Sequence, residues 1–121
     1  MKKYKLRYGT KKDLLMFYNK LPHYSTRSWA FEYNGRLAAI AGVQYTPQNF
    51  MVFSDVMGGI EIPKMTMWRG ALEVFGEIKK LNKPLTAICT GEFINSGNFL
   101  KRLGFELYSI QDGQEVYQWQ Q

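Results

Sequence analysis

The chain has 121 residues, enough for one domain with an apolar core that needs no disulfide or metal to hold it. Hydrophobic residues make up 45% and aromatic residues 16%, which excludes a disordered polar chain. The formal charge of +6 is concentrated at the start: residues 1–27 carry eight Lys and Arg against Asp13 alone, while the remainder holds eight bases and nine acids. Such asymmetry suits an anionic partner (nucleic acid, a phosphorylated cofactor or an acidic protein) or a solvated surface, and no nucleic-acid motif stands beside it. Cys89 is the only cysteine, which excludes an internal disulfide framework and a multi-cysteine zinc site. It falls in the apolar run Pro84-Leu-Thr-Ala-Ile-Cys89 and reads as a buried thiol. No apolar run approaches the ~20 residues of a membrane span, and the basic start Met1–Arg7 lacks the apolar core of a signal peptide. A reducing, cytoplasmic setting is expected.

Tyr4–Tyr8 alternates and predicts a first strand. Thr10-Lys-Lys-Asp13 resembles a capping box, opening a helix that buries Leu14, Leu15, Phe17, Tyr18 and Leu21 and stops at Pro22. A polar loop with His23, Tyr24 and Arg27 follows. Ser28–Tyr33 and Arg36–Tyr45 flank Asn34-Gly35, the strongest hairpin signal in the chain. Thr46-Pro-Gln-Asn49 turns into a third antiparallel strand, Phe50–Val56, which Gly58-Gly59 ends. The main helix is expected from Met65 to Leu81, with Trp68, Ala71, Leu72, Phe75, Ile78 and Leu81 as its apolar stripe and Pro63 just upstream. A short buried strand, Leu85–Thr90, comes next. In Asn95–Glu106, Phe99, Leu100 and Leu103 share one helical face, Lys101 and Arg102 occupy the last turn, and Gly104 supplies the C′ residue. Phe105–Ile110 and Glu115–Trp119 close as a hairpin around Asp112-Gly113. The order is β-α-β-β-β-α-β-α-β-β in a single α/β domain spanning 1–121, with no repeat or linker.

That order, together with the closing helix–Leu-Gly-Phe–strand joint, resembles the GNAT superfamily of acyl-CoA N-acyltransferases. The likeness is architectural over nearly the whole chain and residue-specific over about 93–106, where Ser96, Phe99, Arg102 and Gly104-Phe105 match. Counted back from Gly104, the family's usual Asn falls on Phe93, with Asn95 two residues away. The family's Tyr, which protonates the departing thiolate, falls on Leu100. The Arg/Gln-x-x-Gly-x-Gly/Ala pyrophosphate turn has no clean counterpart in Met57–Gly70, and Glu61 and Pro63 are poor company for a pyrophosphate, so the cofactor loop reads as degraded. Compact proteins of this kind are similar to small GNAT-like proteins of tailed bacteriophages, some of them virion-associated, which would place the chain in a bacterial host cytoplasm.

The resemblance implies a mixed, twisted sheet with helices on both faces, acetyl-CoA as cofactor and an amine as acceptor. It implies Asp55 as the first candidate base and Glu92 as the second. Backbone groups of Ser54–Val56 would meet the pantetheine arm. Gly58, Gly59 and Lys64 would lie near the phosphates, with Asn95 and Phe99 along the same site. His23 and Tyr24 occupy the loop that walls the acceptor, and Tyr24, Tyr108 and Tyr117 are candidate substitute acids or acceptor contacts. His23 has no companion ligands for a metal, so none is expected. Trp68 and the methionines 57, 65 and 67 read as core or interface packing. The rival expectation is a non-catalytic protein of the same fold that acts through protein contacts.

Overall fold

The computed structural model describes residues 4–47, 49–91 and 93–120. Seven strands, β1 (Tyr4–Tyr8), β2 (Thr26–Tyr33), β3 (Arg36–Tyr45), β4 (Phe50–Val56), β5 (Leu85–Ile88), β6 (Glu106–Gln111) and β7 (Gln114–Trp119), form one sheet in the order β1-β2-β3-β4-β5-β7-β6. Helix α1 (Lys11–Tyr18) follows β1, α2 (Lys64–Lys79) follows β4, and α3 (Gly97–Arg102) follows β5 through a 3-10 turn at Phe93–Asn95. The expected order of elements holds. All pairings are antiparallel except β4 with β5, which run parallel. Asn34-Gly35 and Asp112-Gly113 take positive φ at both central residues (51° and 79°, 52° and 80°), the hairpin geometry that matches strand twist.

Strand registers assign the two faces. Arg7, Ala30, Ile40 and Asp55 are successive cross-strand partners and share one face; Leu6, Phe31, Ala39 and Val56 share the other. Helix α1 covers the first face. Its N-cap Thr10 and Asp13 form a reciprocal capping box, and Asp13 accepts from Arg7 of β1 at 2.7 and 3.1 Å. Helix α2 covers the second face, burying Gly70, Ala71, Val74, Phe75 and Ile78. Gly70 is needed there because a Cβ would sit 2.3 Å from Phe31 Cε2. Helix α3 shares this face, with Phe99 meeting Trp68 and Phe105 meeting Phe75 at centroid distances of 5.0 and 5.4 Å.

The closing joint is a Schellman motif. Gly104 (φ 101°) donates to Lys101 O and Phe105 donates to Leu100 O, which satisfies the last carbonyls of α3. Leu100 is fully buried, a side chain whose removal from water contributes about 2 kcal/mol.

Three expectations change. Helix α1 ends at Tyr18, where Asn19 adopts φ 58° and donates to Leu15 O, so the stop precedes Pro22 by a full turn. Leu21 therefore lies in the loop, and Leu15, rotated about 100° from buried Leu14, is also exposed. In α2 the buried spacing is 71, 74, 75 and 78, so Val74 replaces Leu72 on the core stripe and Leu72 faces outward. The last helix is short, because the 3-10 turn takes the residues up to Asn95 and Ser96 caps α3.

Candidate active site at the splayed strands

Strands β4 and β5 pair only over Phe50–Val52 and Leu85–Ala87. Beyond that point they diverge, and β4 runs on to Val56 with β3 on one side only. Asn95 sits in the fork. Its Nδ2 donates to Val52 O at 3.1 Å and Ile88 O at 2.9 Å, and its Oδ1 accepts from Ser54 Oγ at 2.6 Å. One buried amide thus ties both strands and replaces the ladder bonds that the divergence removes. Met57 N donates to Ala38 O, and backbone direction alternates along an antiparallel strand. By that alternation Val52, Ser54 and Val56 direct their backbone groups toward the fork, and the Asn95 bond to Val52 O agrees.

Each face of the sheet carries a concavity beside the fork. On the α1 face a pocket of about 670 Å³ is bounded by Tyr18, Lys20, His23, Gln44, Phe53 and Asp55, with Leu21 and Pro22 completing the wall. Phe53 and Asp55 reach it because they are two apart on β4. The Tyr18 hydroxyl donates to Asp55 Oδ2 at 2.5 Å, fixing the carboxylate against the wall. His23 stacks edge-on with Tyr24 at 5.0 Å, and Tyr24 itself is exposed and outside the pocket lining.

On the α2 face a groove of about 500 Å³ runs between the start of α2 and α3, walled by Met65, Trp68 and Phe99 with the cations Lys64 and Arg102. Arg102 lies over the Trp68 ring at 5.6 Å. The N-cap of α2 is Pro63, with no side-chain cap, and the first intrahelical bond runs from Met67 N to Pro63 O. The amides of residues 64–66 therefore precede the helical ladder and favour an anion. A proline at this position removes none of those three donors, and Glu61 is exposed and absent from the groove lining. The groove thus presents two cations, helix-end amides and an apolar aromatic wall, a donor set that fits a phosphorylated nucleotide cofactor.

No protein-family model matches the chain, and no curated protein matches it in sequence. Solved structures do match its fold. An acetyltransferase from Bacillus subtilis in complex with CoA superposes with a TM-score of 0.65 at 12% identity, covering 98% of this chain and 99% of that one. The fold is that of the GNAT acetyltransferases. An N-acetyltransferase from Staphylococcus aureus Mu50 gives 0.65 at 13% identity, over 97% of both chains. A domain from Methanocaldococcus jannaschii DSM 2661 gives 0.67 at 15% identity, again over 97% of both.

Within this GNAT fold the expected site residues separate. Asp55 and His23 line the α1-face pocket, and Lys64 and Phe99 line the α2-face groove. Asn95, expected along the cofactor, is buried, and its amide nitrogen donates to Val52 O and Ile88 O across the fork. The Ser54 side chain is likewise turned inward onto Asn95. Val56 is half-buried at the edge of the fork. Gly58 and Gly59 form an exposed turn outside the groove lining. Glu92 lies outside the described residues.

Leu100 points into the core. Tyr108 is exposed on β6, and the Tyr117 hydroxyl donates to Glu115 beside half-buried Cys89, where a Cβ at Gly97 would stand 3.6 Å from Tyr117 Oη and 3.7 Å from Cys89 Sγ. Among the described residues no group of three acidic, His or Cys side chains gathers to hold a metal, and no helix is long and apolar enough to cross a membrane. The sequence reading missed Tyr18, Lys20, Gln44, Phe53 and Arg102 as wall residues. For Phe53 a signal existed, since its period-two relation to Asp55 puts both on one face.

Proposed function

We propose that the chain binds acetyl-CoA in the groove between α2 and α3 and acetylates an amine held in the Asp55 pocket. The observation that carries this reading is the pairing of two unlike concavities at one strand fork. One offers cations and helix-end amides; the other offers a positioned carboxylate. The thioester supplies an activated carbonyl: a carbon–nitrogen bond forms as the carbon–sulfur bond breaks, its electron pair leaving on sulfur. Lys64 and Arg102 would meet the phosphates, and the backbone of Ser54 and Val56 would align the extended arm. Asp55, held by Tyr18, takes the proton that the amine must lose. Leu100 has no proton to give, so the sulfur is protonated from water or a neighbouring hydroxyl.

Calorimetry with acetyl-CoA, followed by turnover with an amine panel, tests the reading. Saturating acetyl-CoA raises the melting temperature if the native state alone binds it. Asp55→Asn is expected to lower kcat at least 100-fold and to leave acetyl-CoA affinity unchanged. No heat and no thermal shift at millimolar acetyl-CoA would sink the proposal. That outcome would favour the second reading, a GNAT-fold protein working through protein contacts. Two points lend that reading weight: the Trp68–Phe99–Arg102 stack already occupies the groove wall, and Leu100, which the resemblance aligns with the family's proton donor, is an alkyl side chain buried in the core.

A further inference from the structure

We infer that the acceptor is a small amine that also carries an anionic group, recognised at one end by Asp55 and at the other by Lys20. The inference rests on the reading of the Asp55 pocket as the acceptor site. Its volume, about 670 Å³, lies within the range of small-molecule pockets rather than of flat macromolecular surfaces. The charges in its lining are Asp55, on β4, and Lys20, in the loop that follows α1. Phe53, Leu21 and Pro22 supply the apolar wall, and Gln44 and His23 add polar contacts.

The two charges are committed differently. Asp55 already accepts from the Tyr18 hydroxyl, which orients the carboxylate and leaves it able to meet an ammonium. The ion pairs among the described residues join Arg7 to Asp13 and Glu32, and Lys80 to Glu77; Lys20 takes part in none of them. A cation in a pocket wall without a carboxylate partner favours a ligand that brings one. Lys11 and Lys12, at the start of α1, add positive charge on this side of the sheet.

Selectivity follows from both ends together. A simple alkylamine satisfies Asp55 and leaves Lys20 unanswered. A diamine brings a second ammonium toward Lys20 and is repelled. An amino acid or an aminoalkyl phosphate satisfies both, and discrimination arises from the mismatch as much as from the match. The anion can be a carboxylate or a phosphate; Lys20 reads the charge rather than the geometry.

Calorimetry on the full chain without acetyl-CoA tests this, using four probes of similar length: 4-aminobutyrate, O-phosphoethanolamine, butylamine and 1,4-diaminobutane. The two anion-bearing probes are expected to bind about two- to fivefold tighter than butylamine, as a partly exposed ion pair allows. The preference should shrink as salt rises. The ratio between the two anionic probes separates a carboxylate from a phosphate source. Lys20→Met should bring all affinities together, and Lys20→Glu should move the preference to the diamine. Lys20 is exposed, so both variants are expected to fold, which circular dichroism checks. Equal affinities, an unchanged ranking in Lys20→Glu, or no binding by any probe at tens of millimolar would overturn the inference. Discrimination among acceptors without acetyl-CoA binding would overturn the transfer reading instead, so the two failures are distinguishable.

Discussion

Asn95 offers the sharpest test of how this fold holds its site. It is 2% exposed, and Asn95→Ala removes the donors to Val52 O and Ile88 O together with the acceptor for Ser54 Oγ. The hydroxyl can rotate elsewhere, but the two carbonyls stay in place, one on each diverging strand. Leaving a buried polar group unsatisfied costs about 1–3 kcal/mol. The buried Val52 carbonyl, the part-buried Ile88 carbonyl and a small cavity give a loss of about 2–4 kcal/mol, a large part of the stability of a domain this size. Urea unfolding should show a lower midpoint at constant slope, and the melting temperature should fall by roughly 12 °C. Ser54→Ala alone should cost about 1 kcal/mol, and the double variant should cost less than the sum, because both remove the same bond. Asn95→Asp adds a sign. A carboxylate facing two carbonyl oxygens has a folded pKa raised above its unfolded value, so its penalty is smallest below about pH 4 and grows as pH rises through the folded pKa. A loss of under about 1 kcal/mol for Asn95→Ala would refute the role of Asn95 as the tie across the fork.

Other predictions concern the two helices that flank the site. Hydrogen bonds from the Arg7 guanidinium, aided by Thr10, hold Asp13 well down, to about 2 from an ordinary value of 3.8, against the opposing effect of burial. A depressed carboxylate stabilises the fold above its unfolded pKa and loses that contribution as pH falls through the folded one. Asp13→Asn should therefore cost about 2 kcal/mol at pH 7, and much less at pH 2, in denaturant titrations at the two pH values. In α2, Gly70→Ala should destabilise by about 1–3 kcal/mol, since the new methyl meets the Phe31 ring. Gly76→Ala on the same helix meets nothing within 4 Å and should stabilise by about 0.5–1 kcal/mol. Opposite signs in thermal unfolding are the check, and equal effects would contradict the packing described.

The strands and turns were legible because their signals are local. Asn34-Gly35 and Asp112-Gly113 set hairpins through their own φ preferences, Thr10 and Asp13 cap α1 within four residues, and Gly104 closes α3 on Leu100 and Lys101. Asp55 could be named as a candidate base before the fold was seen. The architecture that links it to Lys64 and Phe99 was legible as a resemblance, because the closing helix and its Gly-Phe joint are short and continuous in sequence.

The local pattern by itself determined which elements form, their order, and the residue types available for chemistry. Tertiary structure decided what those residues do. Asn95 reads in the sequence as a cofactor contact; the fold also sets its amide among Val52, Ser54 and Ile88, each at least seven positions away, as a tie between strands. Tyr18 looked like core until the sheet brought Asp55, 37 positions away, to its hydroxyl. Lys20 carried no signal until the loop after α1 placed it in one pocket with Asp55. Backbone preferences act over a few residues, so a sequence displays them. A site is made by side chains that meet across loops and strands, and only the register of the sheet says which ones share a face.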